Sequence, residues 1–341
     1  MADLPARPDL EQLRHQSKDL LRAARNGDTD ALATIGALTD RITLASAQLA
    51  VARGYGFSSW AALKREVERR EILDEGDLGR LAALLAEDSQ AASTPMEHWC
   101  DHPRGTEPLS YVAMLRYDTA ADAWRDVPES GPMARALLDA GAPVDGKPGD
   151  PETPLITAAS YGDAGVARVL IEAGADVDAL SADDSGGIPG GSALLHAAVF
   201  GMTDVVDVLV EAGARARGIE EAAAAGDVGD WLAEAPADAR LRALVMAADH
   251  QRLDVIDELI AAGTPVDATD EAFGGHPLRA AAANARPESV RRLLAHGADP
   301  NLQDDQGRTP LDLCRQGDGS PERQEVEAIL ALFTSILGDG G

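Results

Sequence analysis

The chain has 341 residues, of which 45% are apolar but only 4% aromatic, and it carries a formal net charge of −28 with a pI near 4.4. This acidity disfavours nucleic acid and anionic membranes as partners, because both need a cationic surface, and it favours a protein partner with a basic surface. The two cysteines, Cys100 and Cys314, are too few for the disulfide framework of a small secreted domain. The first residues lack the apolar segment of a signal peptide, and no stretch reaches the ~18 apolar residues of a membrane span, so we expect a cytoplasmic protein.

Residues 1–75 predict a helical module. Residues 8–26 are typical of a polar helix. A later helix ends at about Arg53, and the next one begins after a serine cap at Ser58 or Ser59. We expect this module to cover the apolar end of the helices that follow; a module that docks a partner is the alternative.

Residues 76–90 predict a further helix, followed by an irregular stretch over 91–105. That stretch contains His98, Cys100 and His102, which are residue types that bind zinc. The alternating spacing departs from familiar zinc patterns, and no fourth ligand is evident. We therefore predict a packed loop and no metal.

Two insertions interrupt the helices further along. Residues 116–132 include Trp124, which either folds over the helix ends, as we expect, or stands exposed as a contact. Residues 179–192 include a GGIPGG run before a helix, where backbone N–H groups could meet a phosphate. The run lacks the lysine of a P-loop, and Asp183 and Asp184 beside it repel anions, so it predicts a flexible turn.

A unit of two helices recurs through the second half of the chain. Pro277 and Pro310, which open two units, are 33 residues apart, a period typical of a turn followed by two helices. Apolar residues three and four positions apart mark each helix. A glycine ends each second helix, because it takes a left-handed conformation without a Cβ clash. These glycines are Gly141, Gly174, Gly213, Gly263 and Gly297. The longest interval, from Gly213 to Gly263, predicts one unit plus a shortened helix pair in which Trp231 packs in place of a leucine pair.

This pattern resembles the ankyrin-repeat family. The family's Thr-Pro-Leu opening matches Thr153–Leu155 and Thr309–Leu311, and its Gly-Ala-Asp-Val-Asn close matches Ala175–Asp178 and Ala298–Asn301. The resemblance implies an all-α repeat, an ankyrin-type α-solenoid of helical hairpins with short β-turn fingers. It implies a repeat array over residues 76–337, capped by the module of residues 1–75 and followed by a flexible tail at 338–341.

Two details qualify the resemblance. The segment Tyr55–Trp60, with the pattern YGF-x-SW, resembles a module found ahead of ankyrin repeats in bacterial proteins. The histidine of the family's repeat is replaced, which removes its usual hydrogen bonds and predicts less rigid repeats. The replacing residues are Ile156, Leu195, Arg279 and Asp312.

The predicted function is a noncatalytic scaffold that binds a protein partner on an acidic concave surface. We expect no catalytic residue, cofactor or metal, since none of the common catalytic motifs occurs and acids are too frequent for any pair to be diagnostic. The predicted partner-contacting residues are Tyr161, Asp183, Asp184, Asp270, Glu271, Phe273, Arg279, Asp304 and Asp305. The alternatives are an acidic mimic of nucleic acid that occupies a basic protein, and an enzyme or small-molecule binder with a pocket in an irregular repeat.

Overall fold

The computed structural model describes residues 4–5, 8–96, 105–118, 121–270, 275–317 and 319–338. Within these ranges the chain forms 19 α-helices and one antiparallel pair of two-residue strands. None of these helices is long and apolar enough to cross a lipid bilayer.

The first half of the chain contains helices α1 to α7 and both strands. In chain order the elements are α1 (Leu10–Arg25), α2 (Thr29–Gly36), α3 (Leu44–Gly54), α4 (Trp60–Glu75), α5 (Leu78–Glu87), α6 (Pro108–Ala113), β1 (Tyr117–Asp118), β2 (Ala123–Trp124) and α7 (Ser130–Asp139).

The second half contains twelve more helices within the described residues. They are α8 (Pro154–Ser160), α9 (Ala164–Glu172), α10 (Ala193–Val199), α11 (Thr203–Glu211), α12 (Ile219–Ala225), α13 (Gly229–Leu232), α14 (Ala237–Asp249), α15 (Leu253–Ala261), α16 (Pro277–Ala283), α17 (Pro287–Ala295), α18 (Pro310–Cys314) and α19 (Pro321–Gly338).

The N-terminal helices form where the sequence predicts them. Asp9 caps α1 by accepting a hydrogen bond from the next turn, and Ser59 caps α4 in the same way, its hydroxyl lying 3.1 Å from the amide nitrogen of Ala62. Helix α1 packs on α2 and α3 through an apolar core that includes Leu21 and Ile35. The serine cap predicted at Ser58 or Ser59 is therefore at Ser59.

Contacts divide the chain into two compact units. The first comprises Met1–Pro148 with Glu172–Gly174, and the second Gly149–Ile171 with Ala175–Gly341. In the second unit the first helices of successive pairs contact one another in the order α8, α10, α12, α14, α16 and α18. The second helices α15, α17 and α19 pack in the same succession. The domain boundaries after residues 75 and 337 stay predictions.

The buried core consists mainly of alanine, leucine and valine, as the low aromatic content predicts. The shortened helix pair is α12 and α13, and the latter has only four residues. Trp231 in α13 keeps 36% of its surface exposed, so it packs less completely than expected. The preference for a packed Trp124 is wrong: this side chain lies on β2, both of whose residues are exposed, and keeps 55% of its surface accessible to solvent. Cys314 is fully buried.

A left-handed residue follows the first helix in the pairs that begin with α8, α10, α12, α14 and α16. Glycine holds this position at Gly162 and Gly201, with φ of +68° and +72°. Gln251 and Ala285 hold it in the two later pairs, each with φ of +54°. A side chain in this conformation costs about 1–2 kcal/mol, so the last two turns carry strain that the first two avoid.

Replacing Ala285 by glycine is expected to raise the free energy of unfolding by about 0.5–1 kcal/mol. Relief of the left-handed strain exceeds the extra unfolded-state entropy of glycine. Urea denaturation followed by circular dichroism measures the change. The reverse substitution, Gly162→Ala, should destabilise by a similar amount, and a loss of stability in both variants would contradict the assignment of strain to Ala285.

Candidate protein-interaction surface

The loop between α9 and α10 is held by a buried histidine. Leu180 and Ser192 form an antiparallel bridge at its base. His196 on α10 is fully buried, with Nδ1 lying 2.8 Å from Ser160 Oγ and Nε2 3.1 Å from the carbonyl oxygen of Ile188. A carbonyl only accepts, so Nε2 carries the proton and Nδ1 accepts from the serine hydroxyl. Nε2 of His196 thus holds the loop, and Nδ1 joins α10 to the end of α8.

The glycines of this loop allow it to lie against the imidazole. A Cβ on Gly187 would lie 2.9 Å from Cε1 of His196, and one on Gly191 would lie 2.9 Å from its Cδ2. Both distances are shorter than side chains tolerate, so the GGIPGG run is a close-packed turn. The run forms a turn, as predicted, and it packs closely on His196, whereas its flexibility stays a prediction. Asp183 and Asp184 are exposed on the same loop.

The predicted contact residues differ in exposure. Asp183, Asp184 and Asp305 are exposed and take part in none of the ion pairs found among the described residues. Asp270 is buried, with a carboxylate oxygen 3.8 Å from a guanidinium nitrogen of Arg242. The first three aspartates therefore contribute negative charge to the surface of the second unit, whereas Asp270 is paired inside it.

The side chain of Asp304 is also buried and paired with arginines. Its side chain is 4% exposed and accepts a hydrogen bond of 2.9 Å from Nε of Arg308. Hydrogen bonds from the guanidinium and backbone N–H of Arg308 lower the pKa of Asp304 to about 2. Arg279 lies 3.6 Å from the same carboxylate and is half-buried, so this predicted arginine contact joins α16 to the following finger.

The remaining predicted residues lie in two places. Tyr161 is half-buried at the C-terminal end of α8. Glu271 and Phe273 lie outside the described residues, as does the histidine and cysteine motif of residues 98–102. Within the described part of the chain, no group of three or more histidine, cysteine or acidic side chains is placed to hold a metal ion.

Hydrogen bonds connect consecutive fingers. The Nε of Arg215 lies 2.6 Å from Asp178 Oδ2, and Arg217 donates to the Asp178 carbonyl oxygen over 2.8 Å. The backbone N–H of Arg215, together with its side chain, lowers the pKa of Asp178. The carboxylate of Asp267 accepts the backbone N–H of Asp299 at 3.0 Å. These bonds join neighbouring repeats. The fold therefore holds the loops that carry the exposed acids in place before any partner binds.

Sequence reasoning missed one exposed aromatic side chain. Phe200 follows α10 at the position that Tyr161 occupies after α8, and it is 44% exposed. Each of the two aromatics immediately precedes its left-handed glycine, Gly162 or Gly201. Aligning the repeats on these glycines would have found Phe200.

Comparison with known proteins identifies the repeats. A family model described as ankyrin repeats (3 copies) matches residues 127–217, and one described as ankyrin repeats (many copies) matches residues 259–314. The chain therefore has the ankyrin-repeat fold, and these two stretches are ankyrin repeats. The fold class predicted from the 33-residue period is confirmed.

Similar curated proteins share only a repeat segment with the chain. The Neurogenic locus Notch protein of Drosophila melanogaster is 47% identical over 57 residues, which are 17% of this chain and 2% of that protein. The human 2-5A-dependent ribonuclease is 36% identical over 71 residues, 21% of this chain and 10% of that protein. The Putative E3 ubiquitin-protein ligase XBAT34 of Arabidopsis thaliana is 32% identical over 96 residues, 28% of this chain and 26% of that protein. The chain thus spans about a quarter or less of the length of these relatives.

Among solved structures, the human ASB11 ankyrin repeat domain is 21% identical to the chain. The match covers 76% of this chain and 95% of that one, with a TM-score of 0.36.

Proposed function

We propose that the chain is a noncatalytic protein-interaction scaffold whose ankyrin repeats bind a partner with a basic surface. The observation that supports this proposal is that the aspartates on the loops of the second unit differ in burial and in ion pairing. Asp270 and Asp304 are buried beside arginines, whereas Asp183, Asp184 and Asp305 are exposed outside the described ion pairs. The fold neutralises the acids it buries and leaves a surplus of negative charge on its surface.

That charge supports fast encounter with a basic protein, and affinity requires apolar anchors as well. Phe200 and Tyr161 supply exposed and half-buried aromatic surface in the second unit. Glu271 and Phe273 stay predicted contacts. We further propose that the protein works in the cytoplasm of a bacterium, with residues 1–75 as a capping module ahead of the repeats.

A noncatalytic role agrees with the hydrogen bonds of two buried histidines, His196 and His250. A general base needs a ring nitrogen within reach of substrate. In His196 and His250 both nitrogens bond to the protein: those of His250 lie 3.0 Å from Thr203 Oγ1 and 2.8 Å from the Ala198 carbonyl oxygen. These rings join neighbouring parts of the fold.

Neutralising the exposed loop acids in Asp183→Asn, Asp184→Asn and Asp305→Asn together is expected to slow association with a basic partner about tenfold at low salt. The partner is first captured from an extract of the source organism on the immobilised chain and identified by mass spectrometry. Association of the purified pair is then measured by surface plasmon resonance at several salt concentrations.

The matched control removes the same charge from second helices of the same unit, with Glu211→Gln, Asp254→Asn and Glu258→Gln on α11 and α15. All three control residues are exposed. Equal slowing in both triple variants would show that only total charge matters and would refute a loop-centred surface. Release of the partner by double-stranded DNA would instead favour the acidic mimic of nucleic acid.

A further inference from the structure

The strand pair in the first unit displays two aromatic rings. β1 and β2 pair in an antiparallel register that sets Tyr117 directly opposite Trp124. The ring centroids are 5.1 Å apart and the ring planes are inclined at 58°. Trp124 is 55% exposed and Tyr117 is half-buried, so the pair presents aromatic surface to solvent.

The strand pair is anchored to the helices beside it. Two-residue strands are marginal by themselves. The backbone N–H of Arg125 donates to the Arg116 carbonyl oxygen over 2.7 Å, and its Nε donates to the Leu115 carbonyl oxygen over 2.6 Å. One guanidinium nitrogen of Arg125 also lies 3.4 Å from the carbonyl oxygen of Asp74, which lies in the last turn of α4. The fold therefore holds the two rings in place without burying Trp124.

Carboxylates flank the rings in the chain, while Arg125, the basic residue next to Trp124, directs its guanidinium to the carbonyl oxygens of Leu115 and Asp74. The hydroxyl of Tyr117 donates to a carboxylate oxygen of Asp122, which precedes β2. Asp122 and Asp126 are exposed on either side of Trp124 in sequence. An indole face carries a negative quadrupole, so an exposed indole flanked by carboxylates attracts cations and repels anionic groups.

We propose that Trp124 and Tyr117 form a docking site for a lysine or arginine side chain of a basic peptide segment. The cation lies over the indole face, and Asp122 and Asp126 supply the complementary charge. A membrane or nucleic acid is a poor occupant, because these carboxylates repel phosphate. The inference rests on the proposed function only in requiring a basic partner, and it places one anchor of that partner on the first unit.

The test measures binding of an octa-arginine peptide to the full chain by isothermal titration calorimetry. Replacing Trp124 by leucine keeps an apolar side chain but removes the indole face, and it is expected to weaken binding about fivefold. The Trp124→Phe variant, which retains an aromatic ring, should lie between leucine and wild type. The matched control is Trp231→Leu on α13, which removes another exposed tryptophan and should leave the affinity unchanged.

Circular dichroism and a urea unfolding curve establish that each variant is folded. If Trp124→Leu were unfolded, Trp124→Phe against Trp231→Phe would decide the question by the same titration. Octa-arginine affinity unchanged in the Trp124 variants would overturn the docking site. If that result came together with weaker binding by the variant lacking the acids at 183, 184 and 305, the proposed function would survive. Wild-type protein that failed to bind the peptide at all would overturn both.

Discussion

Replacing Arg69 by alanine is expected to lower the free energy of unfolding by about 3–5 kcal/mol, the cost of breaking a buried ion pair from one side. The Arg69 side chain on α4 is 6% exposed, and one guanidinium nitrogen lies 2.5 Å from Glu66 Oε2. The guanidinium also donates to three carbonyl oxygens of the segment after α5, at 3.2, 2.7 and 3.2 Å from Ala91, Thr94 and Pro95. Alanine would leave a buried carboxylate and these carbonyls without their donor.

Urea denaturation of the Arg69→Ala variant measures this loss. The matched control is Lys64→Ala on the same helix, because Lys64 pairs with Glu68 at 3.1 Å while the two side chains keep 43% and 36% of their surface exposed. An exposed pair of this kind contributes at most about 1 kcal/mol. If Arg69→Ala cost no more than Lys64→Ala, the guanidinium would not be holding the segment. Arg69→Lys should recover little, since an ammonium lacks the fork that reaches several acceptors.

Acidification from about pH 7.5 to about pH 5 is expected to destabilise the protein through three buried histidines. Burial lowers the pKa of His196, against an opposing effect of Glu152, and it lowers the pKa of His276 as well. Burial likewise lowers the pKa of His250, which faces Asp249, Arg286 and Arg252.

The sign follows from proton binding in the two states. Below the ordinary histidine pKa of about 6.5 the unfolded chain binds protons that the folded chain does not. Stability is therefore present in full above that pH and falls as the pH decreases toward the folded-state pKa. Each histidine contributes a loss of up to about 1.4 kcal/mol per pH unit in this window.

The measurement is a series of urea denaturation curves across this pH range. His250→Gln, which keeps a polar side chain, should reduce the pH dependence of the free energy of unfolding. Gly162→Ala is the control, because it destabilises the turn without changing any titrating group, and its pH dependence should match wild type. A His250→Gln variant with the wild-type slope would contradict the assignment to this ring.

The sequence predicted most of the fold because repeat helices are encoded locally. Periodic apolar residues give the helices, and the threonine of the Thr-Pro-Leu motif acts as a cap: the Thr153 and Thr309 hydroxyls accept from the backbone of α8 and α18. The glycines that end second helices, such as Gly141 and Gly297, take positive φ as expected. Each of these signals lies within a few residues of the structure it specifies.

The candidate surface was predicted less completely, because exposure depends on partners distant in sequence. Asp183 and Asp304 are both aspartates on loops between repeats, and the sequence does not distinguish them. Only Asp183 is exposed, because Arg308 and Arg279 pair with the carboxylate of Asp304. The predicted loss of rigidity from the missing family histidines stays a prediction. Other histidines, among them His196, form buried hydrogen bonds at positions that the motif does not mark.

By itself, then, the sequence determined the repeat, its period and the helix ends, which depend on backbone conformation and local apolar spacing. Only the tertiary structure decided which charges are paired, that GGIPGG packs on His196, and that Trp124 faces solvent. The physical reason is that burial and pairing are set by residues that are distant in sequence. Those contacts join positions that no local pattern relates.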